Sequence, residues 1–131
     1  MDLEMAFSRC LRFLFCVTLL AAVSHAGAAL KPGDHEFSLT HKTIKRSYLV
    51  RMPPQASANA PLPVVLNFHG GGGNAKTQKW YSRMDETADR EGFIAVYPNG
   101  TSGFGDRLLT WNAGNCCGAA ALDRIDDVGF S

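Results

Sequence analysis

No sign of charge dominates this chain. Lys and Arg number 13 and Asp and Glu 12, a formal net charge of +1 over 131 residues. The global basic field of a nucleic-acid binder is absent, and so is the acidic excess of a solvating tail. Long apolar runs are absent too. The most hydrophobic stretch, Leu11 to Val23, is broken by Arg12 and Thr18. It is far shorter than the roughly 20 residues a bilayer core demands, which argues against a stable membrane anchor. There is no internal repeat, no low-complexity tract and no Gly-x-Gly-x-x-Gly string. Cysteine is scarce, with four residues at 10, 16, 116 and 117. What remains is 46% hydrophobic and 19% charged, the balance of an ordinary globular chain.

The first residues read as an export signal. Arg9 and Arg12 supply a positive n-region, the apolar stretch follows, and Ser24-His25-Ala26 and Ala26-Gly27-Ala28 both fit a small-x-small cleavage site. We assign 1–26 as signal peptide, with cleavage after 26 or 28, and a secreted or periplasmic destination. Cys16 lacks the preceding small residues of a lipoprotein signal. After cleavage only the adjacent Cys116 and Cys117 remain. Exported proteins keep disulfides, but neighbouring cysteines pair only in a tight ring, so partners elsewhere are expected, and the mature chain holds none.

Residues 27–131 read as an α/β domain. Phe37 and Leu39 alternate with polar neighbours, and a second alternating run covers Ile44 to Arg51, which suggests an antiparallel hairpin closed off by Pro53-Pro54. Leu62 to Phe68 is nearly all apolar, the pattern of a strand buried on both faces. Trp80, Met84 and Ala88 recur at four-residue spacing, which predicts one helix ending at Glu91-Gly92. Phe93 to Tyr97 is a second buried strand. Strand, helix, strand implies a parallel βαβ unit. Thr101 to Leu122 has no periodicity, and Asp126-Asp127 opens a new helix. Asn99-Gly100-Thr101 matches a glycosylation sequon.

The chemistry sits where the first buried strand ends, at His69-Gly70-Gly71-Gly72-Gly73-Asn74. Glycine lets a ligand approach the backbone closely, and exposed N–H groups hold a negative oxygen. Three readings compete. One is an oxyanion hole built from Gly70 and Gly71, with His69, Gly72, Gly73 and Asn74 in support. Another is a phosphate loop, since Lys76-Thr77 follow, although Ala75 stands where that motif needs glycine. The third is a plain turn. Export favours the oxyanion hole, because nucleoside triphosphates are scarce outside the cell.

The strings "VVLNFHGGGGNA", "GFIAVYPNGT", "TWNAGNCCG" and "RIDDVGF", in that order, resemble the exported polyhydroxybutyrate-depolymerase-like serine esterases, a group similar to feruloyl and acetylxylan esterases. The resemblance covers about Gly33 to Phe130. It implies an α/β-hydrolase fold, a Ser-Asp-His triad, an ester substrate (a polyester oligomer or an acylated polysaccharide) and no cofactor or metal. It also implies that Trp111 and Asn112 lie near the active-site mouth. There Trp111 either stacks on a substrate or anchors its loop. The sequence departs from the family at the nucleophile. No Gly-x-Ser-x-Gly occurs, and Gly100-Thr101-Ser102-Gly103-Phe104 has phenylalanine where glycine is needed. The expectation is therefore the N-terminal part of the fold, truncated before the nucleophile elbow, with the triad beyond Ser131. Asp126 and Asp127 are expected as helix-start residues, His69 as a structural hydrogen-bonder, and His35 and His41 as surface residues. The alternative is a non-catalytic exported module whose Gly-rich loop binds an anion.

Amino-terminal sequencing of the secreted product is expected to begin at Gly27 or Ala29. A mature protein that retains Met1 overturns the export assignment.

Overall fold

The computed structural model describes residues 30–57 and 60–131. The assigned signal peptide lies outside the described residues. The chain forms a mixed α/β unit around a four-stranded sheet in the order β1-β2-β4-β3. Strands β1 (Gly33–His41) and β2 (Ile44–Met52) make the expected hairpin, in register from Gly33 opposite Met52 to His41 opposite Ile44. Lys42 takes φ +55 to turn the corner. Strand β4 (Ile94–Pro98) pairs antiparallel with β2 and parallel with β3 (Val64–Leu66), so the sheet is mixed.

Strand β3 departs from the sequence expectation. Leu62 to Phe68 reads as a strand buried on both faces, yet only Val64–Leu66 pair, and Val64 is 58% exposed. The reason is position. Pro63 has no N–H to donate, and among the described residues β3 has a neighbour on one side only, β4.

The helix also differs. One helix is expected and two are found, α1 (Ala75–Ser82) and α2 (Met84–Glu91), separated by Arg83 at φ +50. The Ser82 hydroxyl accepts from Met84 N–H and from Asn67 Nδ2 at the junction. A serine hydroxyl so placed offers the backbone an alternative to its helical bond. The break turns the apolar stripe: Ala88 is fully buried, whereas Trp80 is 80% exposed. Gly92 then caps α2 at φ +77, its N–H on Ala88 O, as the sequence implied.

Both helices cover the same face of the sheet. Ala75, Ala88, Ala95 and Tyr97 form the buried cluster there, with Leu49, Met84 and Phe93 against it. A charged lattice borders this layer. Arg51 binds Asp89 and Asp34, and Lys79 binds Asp34 and Asp85. The opposite face is lined by Phe37, Tyr48, Val50, Met52, Val64 and Val96 and encloses an open apolar hollow of about 530 Å³.

At one end of that second face lies Arg46, 2% exposed on β2. Its Nη2 donates to Asp127 Oδ1 at 2.7 Å and to Asn99 O at 3.0 Å. Asp127 begins α4 (Asp127–Phe130), whose N-cap is Asp126. Another short helix, α3 (Gly118–Leu122), precedes it inside the stretch expected to be aperiodic.

Removing one partner of a buried ion pair leaves the other charged and unsolvated. Arg46→Ala is therefore expected to cost about 3–5 kcal/mol, whereas Arg51→Ala, in a half-exposed lattice, costs about 1 kcal/mol or less. Urea unfolding of both variants checks the contrast. Arg46→Met combined with Asp127→Asn, which removes both charges and leaves an acceptor for Asn112 N–H, is expected to recover most of the loss.

Candidate functional site

The glycine loop leaves β3 at the sheet's C-terminal end and enters α1. Its amide donors fall into two sets. Four are consumed internally. Gly72 N–H bonds Leu109 O at 2.8 Å, and Gly73 N–H bonds Gly70 O at 3.0 Å. Asn74 N–H bonds Thr77 Oγ1 at 3.0 Å, and Ala75 N–H bonds Asn99 Oδ1 at 2.7 Å. Gly70 and Gly71 N–H have no acceptor among the described residues, and both residues are exposed. Asn74 closes the start of α1 with a reciprocal capping box, its Oδ1 accepting from Thr77 N–H.

The two free amides are aimed by the carbonyls they share peptide planes with. A trans peptide fixes N–H opposite C=O. The Gly70 amide is coplanar with the His69 carbonyl, and that carbonyl accepts Trp111 Nε1–H at 2.9 Å. The Gly71 amide is coplanar with the Gly70 carbonyl, which is held by Gly73 N–H and by His69 Nδ1 at 2.8 Å. His69 is itself pinned, because its Nε2 accepts the buried Gly100 N–H at 3.0 Å. That contact assigns the tautomer. Nε2 carries the lone pair, so Nδ1 carries the proton and donates to Gly70 O. Both ring nitrogens are thus engaged with backbone, and His69 has none left for a general base. Burial, at 3% exposure, holds its pKa below the ordinary imidazole range, only partly opposed by the Gly70 hydrogen bond.

Trp111 and Asn112 also spend their polar groups on the protein. The Trp111 ring meets Phe68 edge-on at 5.2 Å and lies 4.9 Å from the His69 ring. Asn112 N–H bonds Asp127 Oδ2 at 2.7 Å, and its Nδ2 bonds Ile125 O at 2.8 Å. In this geometry the Trp111 indole N–H ties its loop to the end of β3. Cys116 and Cys117, for which partners elsewhere were expected, have their sulfur atoms directed at each other. Asn99, seen in the sequence only as a sequon, brackets the loop: its Oδ1 takes the Ala75 amide and its Nδ2 donates to Ser47 Oγ. Sequence reasoning missed this role, and missed Arg46, because neither residue stands out without its partners.

The remaining candidates lie apart from the loop. The Ser102 hydroxyl is turned into its own bend, against Arg107 O, Gly105 O and Phe104 N–H, and among the described residues it bonds no imidazole. His41, expected at the surface, is half-buried and bonds Asp126 at 2.9 Å. Asp126 is held well below the usual carboxylate range by Lys42, then His41, then Gly129 N–H. His35 stacks on Phe37 and bonds Lys31 O. Among the described residues no group of His, Cys, Asp and Glu is arranged to hold a metal ion. The chain matches no protein-family model, and it matches no curated protein significantly.

The glycines divide the same way as the amides. A Cβ built on Gly70 or Gly71 meets nothing within 4 Å, and neither has a positive φ. Gly72 needs φ +84, Gly73 faces Gly70 O at 3.1 Å, and a Cβ on Gly100 collides with the Thr110 carbonyl. Gly70→Ala and Gly71→Ala are accordingly expected to leave stability within about 0.5 kcal/mol, and Gly100→Ala to cost about 1–3 kcal/mol. Thermal melts of the three variants test the ranking.

Proposed function

We propose that Gly70 and Gly71 are oxyanion donors of a serine-type carboxylic-ester hydrolase with an α/β-hydrolase fold, exported from the cytoplasm, acting on polyester oligomers or acylated polysaccharide. The observation that carries this reading is the division of the loop's amides. A phosphate cradle uses a run of consecutive N–H groups and a free Thr hydroxyl. Here the N–H groups of Gly72, Gly73, Asn74 and Ala75 are spent, and the Thr77 hydroxyl bonds Asn74 O and N–H. Two adjacent exposed donors at a strand end suit one developing oxyanion instead. Such donors contribute roughly 3–4 kcal/mol each when preorganised. Their glycines, unneeded by the fold, leave room for a substrate carbonyl.

In this reading the serine, aspartate and histidine lie in sequence beyond Ser131. The serine adds to the ester carbonyl, the histidine takes its proton, and the loop amides hold the oxyanion. Collapse expels the alcohol and leaves an acyl-enzyme, which water cleaves. A second reading is a non-catalytic module that binds a small anion at the same amides. It is favoured by one observation: the loop is fully assembled by contacts within the 131 residues.

The 131-residue chain is expected to hydrolyse p-nitrophenyl acetate no faster than a heat-treated control and to resist a serine-directed phosphonate probe. A chain extended through the downstream reading frame is expected to gain both properties. Hydrolysis by the shorter chain that Ser102→Ala abolishes would overturn the assignment. Acetate that shifts the Gly70 and Gly71 amide resonances, with an extended chain that stays inert, would select the anion-binding module.

A further inference from the structure

We propose that His69 is the positioning residue for the two free amides and works only as a neutral imidazole, so that a proton arriving at Nε2 unlatches the glycine loop. The geometry leaves the cation no place. The Gly100 N–H lies 3.0 Å from Nε2 in a buried contact. A protonated Nε2 sets donor against donor there. Gly100 is not free to retreat, because its α-carbon packs directly on the Thr110 carbonyl, and the Thr101–Thr110 bridge holds both strands of that neck. The imidazole is the part that must swing away. When it does, Nδ1–H leaves Gly70 O, and the Gly70–Gly71 peptide plane keeps one of its two anchors, Gly73 N–H.

Among the described residues no carboxylate is hydrogen-bonded to the ring to compensate a positive charge. On β2, Arg46 lies 5.9 Å from the centre of the Trp111 ring, which itself packs on His69. Asp127 on α4 is already bound to Arg46 and to Asn112 N–H. Asp106 and Arg107, on the arc after Thr101, are exposed, as is Lys76 on α1. Lys79 on α1 is bound to Asp34 and Asp85. The sign follows from linkage. A histidine kept neutral by the fold contributes stability that is fully present above its unfolded pKa, ordinarily about 6.5. That contribution is lost as pH falls toward the lower folded value.

The inference concerns the loop's conformation and stands whether or not the loop serves ester hydrolysis. The test uses the full chain labelled with ¹⁵N. At pH 7 the imidazole nitrogens are expected to report the Nδ1–H tautomer. From pH 7 to 4 the Gly70, Gly71 and Gly100 amides and the Trp111 indole N–H are expected to shift together, with one midpoint below the ordinary imidazole range. The Gly100 protection factor, taken against the intrinsic exchange rate at each pH, should fall roughly ten-fold or more while the Ala88 and Tyr97 amides stay protected. His69→Gln keeps an acceptor for Gly100 without titrating, and its loop resonances are expected to stay flat. A proton on Nε2 at pH 7, or loop amides that do not move down to pH 4, overturns the proposal. So does loss of Tyr97 protection at the same midpoint, which means acid opens the whole domain. Loop titration persisting in His69→Gln has the same force, and should that variant not fold, the wild-type tautomer and the loop-versus-core comparison decide alone.

Discussion

A guanidinium with almost no access to water organises one end of this molecule. Arg46 reaches from β2 to Asp127, 81 residues later, and stacks over the Phe130 ring at 4.0 Å. Its Nε and Nη1 have no hydrogen-bond partner among the described residues, and the aromatic face is the compensation on offer. Buried ion pairs add little net stability, since desolvation offsets attraction. Their use is in specifying arrangement. Asp127 has two oxygens: one holds Arg46 and the other holds the Asn112 amide. Asn112 adjoins Trp111, Trp111 holds the His69 carbonyl, and His69 orients the loop. A single carboxylate thus ties the far end of the chain to the strand end where the free amides lie.

The same logic explains why a loop of four consecutive glycines has a definite shape. Glycine loses more conformational entropy on ordering than any other residue. Here side chains from three separate segments meet that cost: Trp111 and His69 on carbonyls, Asn99 on the Ala75 amide, and Asn74 with Thr77 at the helix start. Every one of these bonds fixes a peptide plane, and two planes are left with their N–H groups facing outward. Preorganisation of that kind is what an anion site needs, because no reorganisation remains to be done when charge arrives.

How much of this was legible in the sequence depends on how local each cause is. Hairpin alternation from Phe37 to Arg51, the Gly92 stop and the Asp126 helix start are set by near neighbours, and all appear in the fold. Strand β3 and the α1–α2 break were misread, since an apolar run says what a strand prefers to touch and not how many neighbours it has. Trp80, Met84 and Ala88 keep helical spacing, but Ser82 and Asn67 interrupt the helix between them, a contact across 15 residues. At the site, the glycine run was visible as a donor device, and Gly70 and Gly71 were named as its donors. Why the Gly72 and Ala75 amides are spent was not visible, because that depends on Leu109 and Asn99, remote in sequence. Asp127 was expected only as a helix-start residue, and Arg46 was one position in an alternating strand until the fold brought the two together.

The neck at Gly100 and Thr110 bears on how such a chain tolerates change over generations. Thr101 and Thr110 pair in both directions, Gly100 sits flush against Thr110, and Leu109 reaches back to Gly72. Everything the glycine loop needs from this segment lies at or below the neck. Above it, the arc from Ser102 to Leu108 projects outward, with Phe104 and Leu108 in solvent. Lengthening a closed loop costs little, about 0.6 kcal/mol for each doubling. Insertions and deletions are therefore expected to collect in this arc, where drift in length is insulated from the site, while the residues of the neck admit almost no substitution.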